Sequence, residues 1–389
     1  MRRRRRHGSG VRRGFLIVLG MGVLGAFGSA MAVVIWVIAV ASTAPNINSL
    51  KPVDKGANSE VFASNGRRLG FIENDELRQP ISTADLPPTL QKATVAIEDQ
   101  RFYHHQGVDY EGIVRAAIKN LRSGKTVQGG STITMQLVRN IYPISRARNL
   151  TRKIREAKLA QELESEHSKS WILSTYLNSV PYGTVGGQTA IGAQAAARVF
   201  FDKPARALTL PQAATLAGLP QAPSLYNPFR DPRSALSRRN DVLNRMKKLG
   251  MISDAQYAAA VASPLGVKSN DYYTARRESY FFDYVKEQLI QRYGLETVRK
   301  GGLKIYTTID LPKQQAARDA MKGQLPYQDD PSSAIVSIDP RNGYIRAMAS
   351  SAKYGKVQFN YAAQGHRQAG STFKVMVLMA ALRKGVDPN

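Results

Sequence analysis

Charge is absent from Gly14 to Ala44, and the run GFLIVLGMGVLGAFGSAMAVVIWVIAVA is apolar almost throughout. A hydrocarbon layer of ~30 Å needs ~20 helical residues to cross it, so the run predicts a membrane-spanning helix. A cleavable signal has a shorter apolar region, roughly 7–15 residues, and the length here favours an uncleaved anchor. From Leu86 to about Gly250 apolar positions return at helix spacing: Leu90, Ala93 and Ile97, then Ile154, Ala157 and Leu159, then Ile172, Leu173, Tyr176 and Leu177. Prolines at 204, 211, 220, 223, 228 and 232 punctuate the end of this region. Two hairpins flank it. One is predicted around Ser64-Asn65-Gly66, because Asn-Gly is a strong short hairpin signal. The other joins Ala334–Asp339 to the run from Tyr344 across Pro340-Arg-Asn-Gly343. A short strand-like run, Leu303 to Ile309, lies between.

These changes of pattern divide the chain into a basic tail at 1–13, a transmembrane helix at 14–44 and a membrane-proximal segment at 45–80. A helical domain at 81–250, a linker region at 251–330 and a further domain opening at 331–389 follow. The 55 Lys and Arg against 29 Asp and Glu give a net charge of +26. Seven arginines, Arg2 to Arg6 with Arg12 and Arg13, precede the apolar run, which predicts a cytoplasmic N-terminus and an extracytoplasmic remainder. Outside the cytoplasm the large remaining surplus points to anionic lipid or a phosphorylated substrate rather than nucleic acid. No cysteine is present, so thiolate catalysis and disulfides are excluded.

Chemistry concentrates in the helical region. EDQRFYHHQG, residues 98–107, crowds Glu98, Asp99 and two histidines into what reads as a helix. GGSTITMQLVRN spans 129–140, RKIREAKLAQELE 152–164, ILSTYLNSVPYG 172–183 and LTLPQAATLAGLPQAPSLYNP 208–228. Singly, each has a plain structural reading. Ser131 or Thr132 could cap a helix, and Glu156 could pair with Arg152 or Lys153 for about 0.2–0.5 kcal/mol.

In this order the five runs resemble the motifs of the family 51 peptidoglycan glycosyltransferases, the lysozyme-like domain of class A penicillin-binding proteins. The resemblance covers residues 80–245 and implies a mainly α lysozyme-like domain after a single N-terminal transmembrane helix. It implies polymerisation of lipid II at the cytoplasmic membrane, with inversion and release of undecaprenyl pyrophosphate. Glu98 would be the general base that takes the proton of the acceptor 4-hydroxyl, a role worth about 10²–10⁴-fold. Asp99, Phe102, His105 and Gly107 fill the rest of the first motif, with His105 as a brace. Ser131, Thr132 and Gln136 would bind substrate or order the segment between the first two motifs. Arg139, Arg148 and Lys153 would neutralise the departing pyrophosphate, with Arg152 and Arg155 nearby and Arg146 as good a match as Arg148. Glu156 matches the second functional glutamate. Asn178, Tyr182 and Gly183 match a scaffold. No cofactor is required. Mg²⁺ at the pyrophosphate is compatible with this chemistry, although no ligand spacing demands it. Partners would be lipid II, the growing glycan, the bilayer, and proteins of cell-wall synthesis or division.

The chain departs from the family pattern at Met135, where glutamine is common, and at Arg139, where lysine is common. It departs also at Phe201-Asp202, commonly Phe-Gly, and in the long run PYGTVGGQTAIG. Hydrolysis, the competing chemistry for paired carboxylates, is disfavoured because a sugar leaving group calls for an acid and not a cation cluster. A non-catalytic scaffold is disfavoured by the presence of both glutamates.

At 370–374 the chain reads Gly-Ser-Thr-Phe-Lys within RQAGSTFKVM. S-x-x-K is the acyl-enzyme signature of penicillin-binding proteins, and the run resembles the start of an α/β penicillin-binding transpeptidase domain. Ser371 would be its nucleophile and Lys374 its base. No S-x-N or K-T-G element follows before Asn389, so no stable penicillin acylation is expected of these 389 residues.

Overall fold

The computed structural model describes residues 8–53, 56–123, 130–144, 149–327 and 329–387. Arg2 to Arg6, Gly129, Arg146 and Arg148 lie outside the described residues. Helix α1 runs Gly8–Ser42, and among the described residues one helix is long and apolar enough to cross a membrane. Strands β1 (Glu60–Phe62), β2 (Arg68–Phe71) and β3 (Glu76–Arg78) follow. Five helices come next: α2 (Pro88–Glu98), α3 (Tyr110–Ser123), α4 (Ile133–Ile141), α5 (Leu150–Glu166) and α6 (Lys169–Ser179). Strands β4 (Pro181–Val185) and β5 (Gln188–Ile191) lead to α7 (Ala193–Phe201), α8 (Leu210–Gly218), α9 (Pro232–Lys248) and α10 (Asp254–Ala262). The chain continues through α11 (Ser279–Tyr293), α12 (Leu295–Lys300), β6 (Lys304–Tyr306), α13 (Leu311–Gln324), β7 (Ala334–Asp339), β8 (Tyr344–Ser350) and α14 (Phe373–Arg383).

Two compact units interleave in sequence. The first takes residues up to 56 and 75–272, and the second takes 57–74 and 273–389. In the second unit β1 pairs antiparallel with β2 around the Asn65-Gly66 turn and parallel with β6, over a core of Val61, Leu69, Ile72, Phe281, Phe282 and Ile309. The β7–β8 hairpin, also antiparallel, lies in the same unit.

The first unit is mainly α. Several helices begin where a short polar side chain or a proline dictates. Thr132 caps α4 by accepting from Met135 N–H, Asn149 caps α5 at Arg152 N–H, and Ser168 caps α6 at Trp171 N–H. Asp231 caps α9, with Pro232 at its first position. The inward stripes meet in a core that includes Leu90, Phe102, Leu137, Leu159, Leu163 and Leu177. The run PYGTVGGQTAIG is an antiparallel hairpin, β4–β5, and β3 joins it parallel to β5. Gly186 and Gly187 both have positive φ, 57° and 83°, as a tight two-residue turn requires. Asp202 closes α7 in the left-handed conformation at φ 55°, and Lys268 Nζ donates to its carboxylate at 2.8 Å. This gives the non-glycine residue at that position a partner. Met135 is buried in α4, as an apolar replacement there must be.

Candidate active site

The run 98–107 is not a helix. Glu98 is the last residue of α2, Asp99 leaves the helix at φ −158° and ψ 77°, and only Phe102–His104 turns again, as a 3₁₀ turn. The helix ends there because Asp99, Phe102 and His105 are all drawn inward. The Asp99 carboxylate lies 3.0 Å from His105 Nε2 and accepts from Ile133 N–H at 3.1 Å, which satisfies an orphan donor at the start of α4. Lys169 Nζ donates to His105 O at 2.7 Å, pairs with Glu164 at 2.6 Å and stands 4.5 Å over the Phe102 ring. Thr134 Oγ1 donates to the same Glu164. Asp99 and His105 therefore brace the motif from beneath.

Gly107 locks the motif to α5. Its φ is +82°, and a Cβ there would lie 2.6 Å from the backbone of Ala160 and Gln161. Its carbonyl accepts from Thr132 Oγ1 at 2.6 Å, while Thr132 caps α4. The first three motifs are thus tied together by backbone approach and by one hydroxyl. Thr132 itself is buried. Ser131 is partly exposed and lines an open pocket with Glu98, Gln100, Asp109, Arg115 and Thr132.

Glu98 is nearly buried. Burial raises its carboxyl above the usual range. A hydrogen bond from Gln136, the cations Arg238 and Arg139, and the neighbouring Asp99 charge modify that shift, the first three lowering and the last raising it. Gln136 Nε2 donates to Glu98 Oε2 at 2.8 Å, and the buried Tyr176 hydroxyl donates to Gln136 Oε1 at 3.1 Å. The amide is thereby fixed with its NH₂ toward the carboxylate. Arg238 of α9 stands 4.0 Å from the other oxygen, Oε1, and its Nε donates to Gly218 O at 3.2 Å. Tyr182 is also buried, and its hydroxyl has no partner among the described residues. Burial first, and then the Glu98 charge, push the Tyr182 phenol up.

Glu156, on α5, is fully buried, with Arg152 Nε 3.1 Å from Oε1. Burial raises its carboxyl, against the lowering pull of Arg139, Arg152 and Lys153. Arg139, exposed on the last turn of α4, acts electrostatically on both glutamates. Lys153 is exposed. Arg139, Arg152 and Lys153 thus gather about Glu156, while the pocket and Gln136 lie on the Glu98 side. Among the described residues no group of three or more His, Asp or Glu could hold a metal ion.

In the second unit Ser371 lies in a 3₁₀ turn, Gly370–Thr372, and Lys374 in the first turn of α14. Both are exposed. Asn178 is structural, exchanging hydrogen bonds with the Ile81 backbone at 3.0 and 2.9 Å.

Two residues at the site are absent from the motif reading. Arg238 sits beside the buried Arg239 in α9, and nothing in the sequence tells which of the two faces a carboxylate. Tyr176 reads as a core position of a helical stripe, and its hydroxyl bond to Gln136 joins residues 40 apart.

Residues 65–247 match the family described as Transglycosylase, and residues 333–389 match the penicillin binding protein transpeptidase domain. Penicillin-binding protein 1A of Aquifex aeolicus is 34% identical over 94% of this chain and 61% of its own length. Penicillin-binding protein 2D of Bacillus subtilis is 35% identical over 94% of this chain and 52% of its own length. A crystal structure of penicillin-binding protein 1A from Haemophilus influenzae aligns with TM-score 0.46 and 21% identity, over 86% of this chain and 54% of that one. The chain thus spans little more than half the length of these relatives. The chain therefore carries a transglycosylase domain at 65–247 followed by penicillin-binding transpeptidase-domain sequence at 333–389, and it is similar to penicillin-binding proteins over 94% of its length.

Proposed function

We propose that this chain polymerises lipid II into β-1,4 glycan strands. The observation that carries the reading is the pair of inward-facing glutamates: Glu98 beside a pocket and bonded to Gln136, and Glu156 buried against Arg152, with Arg139 on the last turn of the helix that carries Gln136. Glu98 takes the proton from the acceptor 4-hydroxyl as that oxygen attacks the donor anomeric carbon. The bond from that carbon to the α-linked pyrophosphate breaks, and a β bond forms. A raised carboxyl pKa makes Glu98 a better base toward a hydroxyl than an ordinary carboxylate, while Gln136 and Arg238 hold enough of it ionised. The cations Arg139, Arg152 and Lys153, and Arg148 by its place in the motif, take up the charge that develops on the leaving pyrophosphate. Ser131 lines the acceptor side of the pocket. Glu156 holds the cations in place.

The apolar α1 anchors the chain in the cytoplasmic membrane, with the arginine-rich end inside and the catalytic unit outside. Partners are the lipid substrate, the glycan product and other proteins of wall synthesis. In the second unit Ser371 and Lys374 hold the positions of nucleophile and base of a transpeptidase domain, but no acylation is expected of these 389 residues.

Detergent-solubilised protein with labelled lipid II tests the reading. Wild type is expected to form polymer that moenomycin blocks and Glu98→Gln abolishes. Absence of polymer from folded wild type that still binds lipid II would overturn it in favour of a binding scaffold.

A further inference from the structure

The segment that leaves α1 is bonded along one stripe of α5. Arg155 Nε and Nη2 donate to Thr43 Oγ1 at 3.2 and 3.0 Å. Ile47 N–H donates to Glu162 Oε2 at 3.0 Å, and Asn48 Nδ2 donates to Glu166 Oε1 at 2.9 Å. Positions 155, 162 and 166 are spaced i, i+7, i+11, which is one face of a helix. Asn46 caps the 3₁₀ turn Ile47–Ser49, and Ile47 is buried. Val53 N–H then donates to Ile141 O at 2.7 Å, at the end of the helix that carries Gln136 and Arg139. The anchor is therefore stapled to both helices that carry the cations.

The order of these bonds gives a direction. Thr43 lies at Arg155, and Asn48 lies at Glu166, so α5 points away from the apolar helix from its N-terminus onward. Its first turn, with Arg152 and Lys153, is the end nearest the membrane. At a rise of ~1.5 Å per residue these two cations lie within about 5 Å, along α5, of the level of Thr43. Trp36, the indole of α1, lies seven residues before Thr43, about 10 Å along the helix. Tryptophan collects at the membrane–water interface, and a headgroup layer adds roughly 5–8 Å to each side of the hydrocarbon.

We propose that the Thr43, Ile47 and Asn48 bonds to α5 form a ruler. It holds the cations of the site at the height of a lipid-linked pyrophosphate, with Glu162 and Glu166 as positioning residues. The proposal rests on the polymerase reading for its purpose. The height it assigns is independent of activity. The staple matters because electrostatic stabilisation requires donors fixed where charge develops, and the substrate's own height is set by its lipid tail in the bilayer.

Two measurements test it. The chain has no cysteine, so Leu150→Cys, an exposed position in the first turn of α5, takes a single fluorescent label. In vesicles, quenching by headgroup-labelled lipid is expected to exceed quenching by lipid labelled deep in the acyl chain. Adding Thr43→Val with Glu162→Ala is expected to weaken and broaden the headgroup quenching. Unchanged quenching in that variant would overturn the ruler.

The second measurement inserts four alanines after Val37, which lifts an intact staple by about 6 Å. Polymerisation in vesicles is expected to fall at least about tenfold, since ~1 Å of misplacement can already cost ~10²-fold. Activity in detergent, where no bilayer plane fixes the substrate, is expected to match wild type. An equal loss in both media, or no loss in vesicles, would overturn the proposal. Polymer formed by wild type in detergent leaves the functional reading standing whatever the vesicles show.

Discussion

Replacing Gly107 by alanine tests whether the first motif is held by backbone approach rather than by its side chains. At φ +82° an L-residue is disfavoured by about 1–2 kcal/mol. The new methyl would lie 2.6 Å from the Ala160 carbonyl carbon and oxygen and from Gln161 N. These are main-chain atoms inside α5 and cannot rotate away, so overpacking adds about 1–3 kcal/mol. Any retreat of the loop stretches the 2.6 Å bond from Thr132 to the Gly107 carbonyl, worth about 0.5–1.5 kcal/mol. The total, about 2.5–6.5 kcal/mol, is a large share of the stability of a typical domain. Gly187→Ala supplies the control. Its φ is +83°, nearly the same, but nothing lies within 4 Å of the added Cβ. It should carry the conformational part alone, about 1–2 kcal/mol. Both tryptophans, Trp36 and Trp171, lie in the first unit, so thermal unfolding followed by tryptophan fluorescence reads that unit. Gly107→Ala should lower the midpoint by about 10 °C or more, and Gly187→Ala by only a few degrees. Equal shifts in the two variants would refute the packing account.

Glu98→Gln should abolish polymerisation and raise the unfolding midpoint at pH 7. The native carboxyl is raised by burial, so its stabilising share is present at low pH and lost as pH rises through the native value. The gain from glutamine should therefore shrink as pH falls through the raised native value and vanish below the ordinary glutamate range, roughly 4.3. Arg238→Gln removes a cation that lowers the Glu98 carboxyl, so the acid limb of the pH–rate profile should move to higher pH. A limb that stays or moves down would show that Arg238 does not act on the base. Arg239 is fully buried and donates to Ser263 O at 2.5 Å and Val261 O at 2.9 Å, at the end of α10. Arg239→Leu strands those carbonyls and should cost about 2–5 kcal/mol, seen as a lower midpoint with the pH profile of any surviving activity unchanged.

Local signals were readable and long-range pairings were not. Asn65-Gly66 and Asn342-Gly343 predict the two hairpins because a turn's backbone demands are met by adjacent residues. The β4–β5 hairpin carries the same kind of signal in Gly186-Gly187, but its strands are short and lack clean alternation, so the sequence does not predict it. Glu98, Gln136, Arg139 and Glu156 were legible as a set through their motifs. Their geometry was not, because Asp99 ends α2 for the sake of a partner six residues on and a helix start 34 residues on. The interleaving of the two units rests on β1 pairing with β6 across some 240 residues. No local pattern specifies a partner at that distance. Arg238 was hidden for a related reason: its carboxylate lies 140 residues away on another helix.

The bracing and the strain of this site are two sides of one arrangement. Two glutamates are buried against their preference, and the cations about Glu156 repel one another. Neither is tolerable on an isolated helix. The surrounding contacts make it tolerable by leaving the segments no alternative position. Thr132 joins the first motif to α4, Gly107 presses on α5, Lys169 joins α6 to the His105 backbone, and Tyr176 fixes the amide that faces Glu98. These contacts lie beneath the site and none requires the substrate. A variant that relaxes the strain, such as Glu98→Gln, should therefore gain stability and lose chemistry. A variant that loosens the frame, such as Gly107→Ala, should lose both. Opposite signs from two residues of one ten-residue motif separate the group that reacts from the groups that hold it.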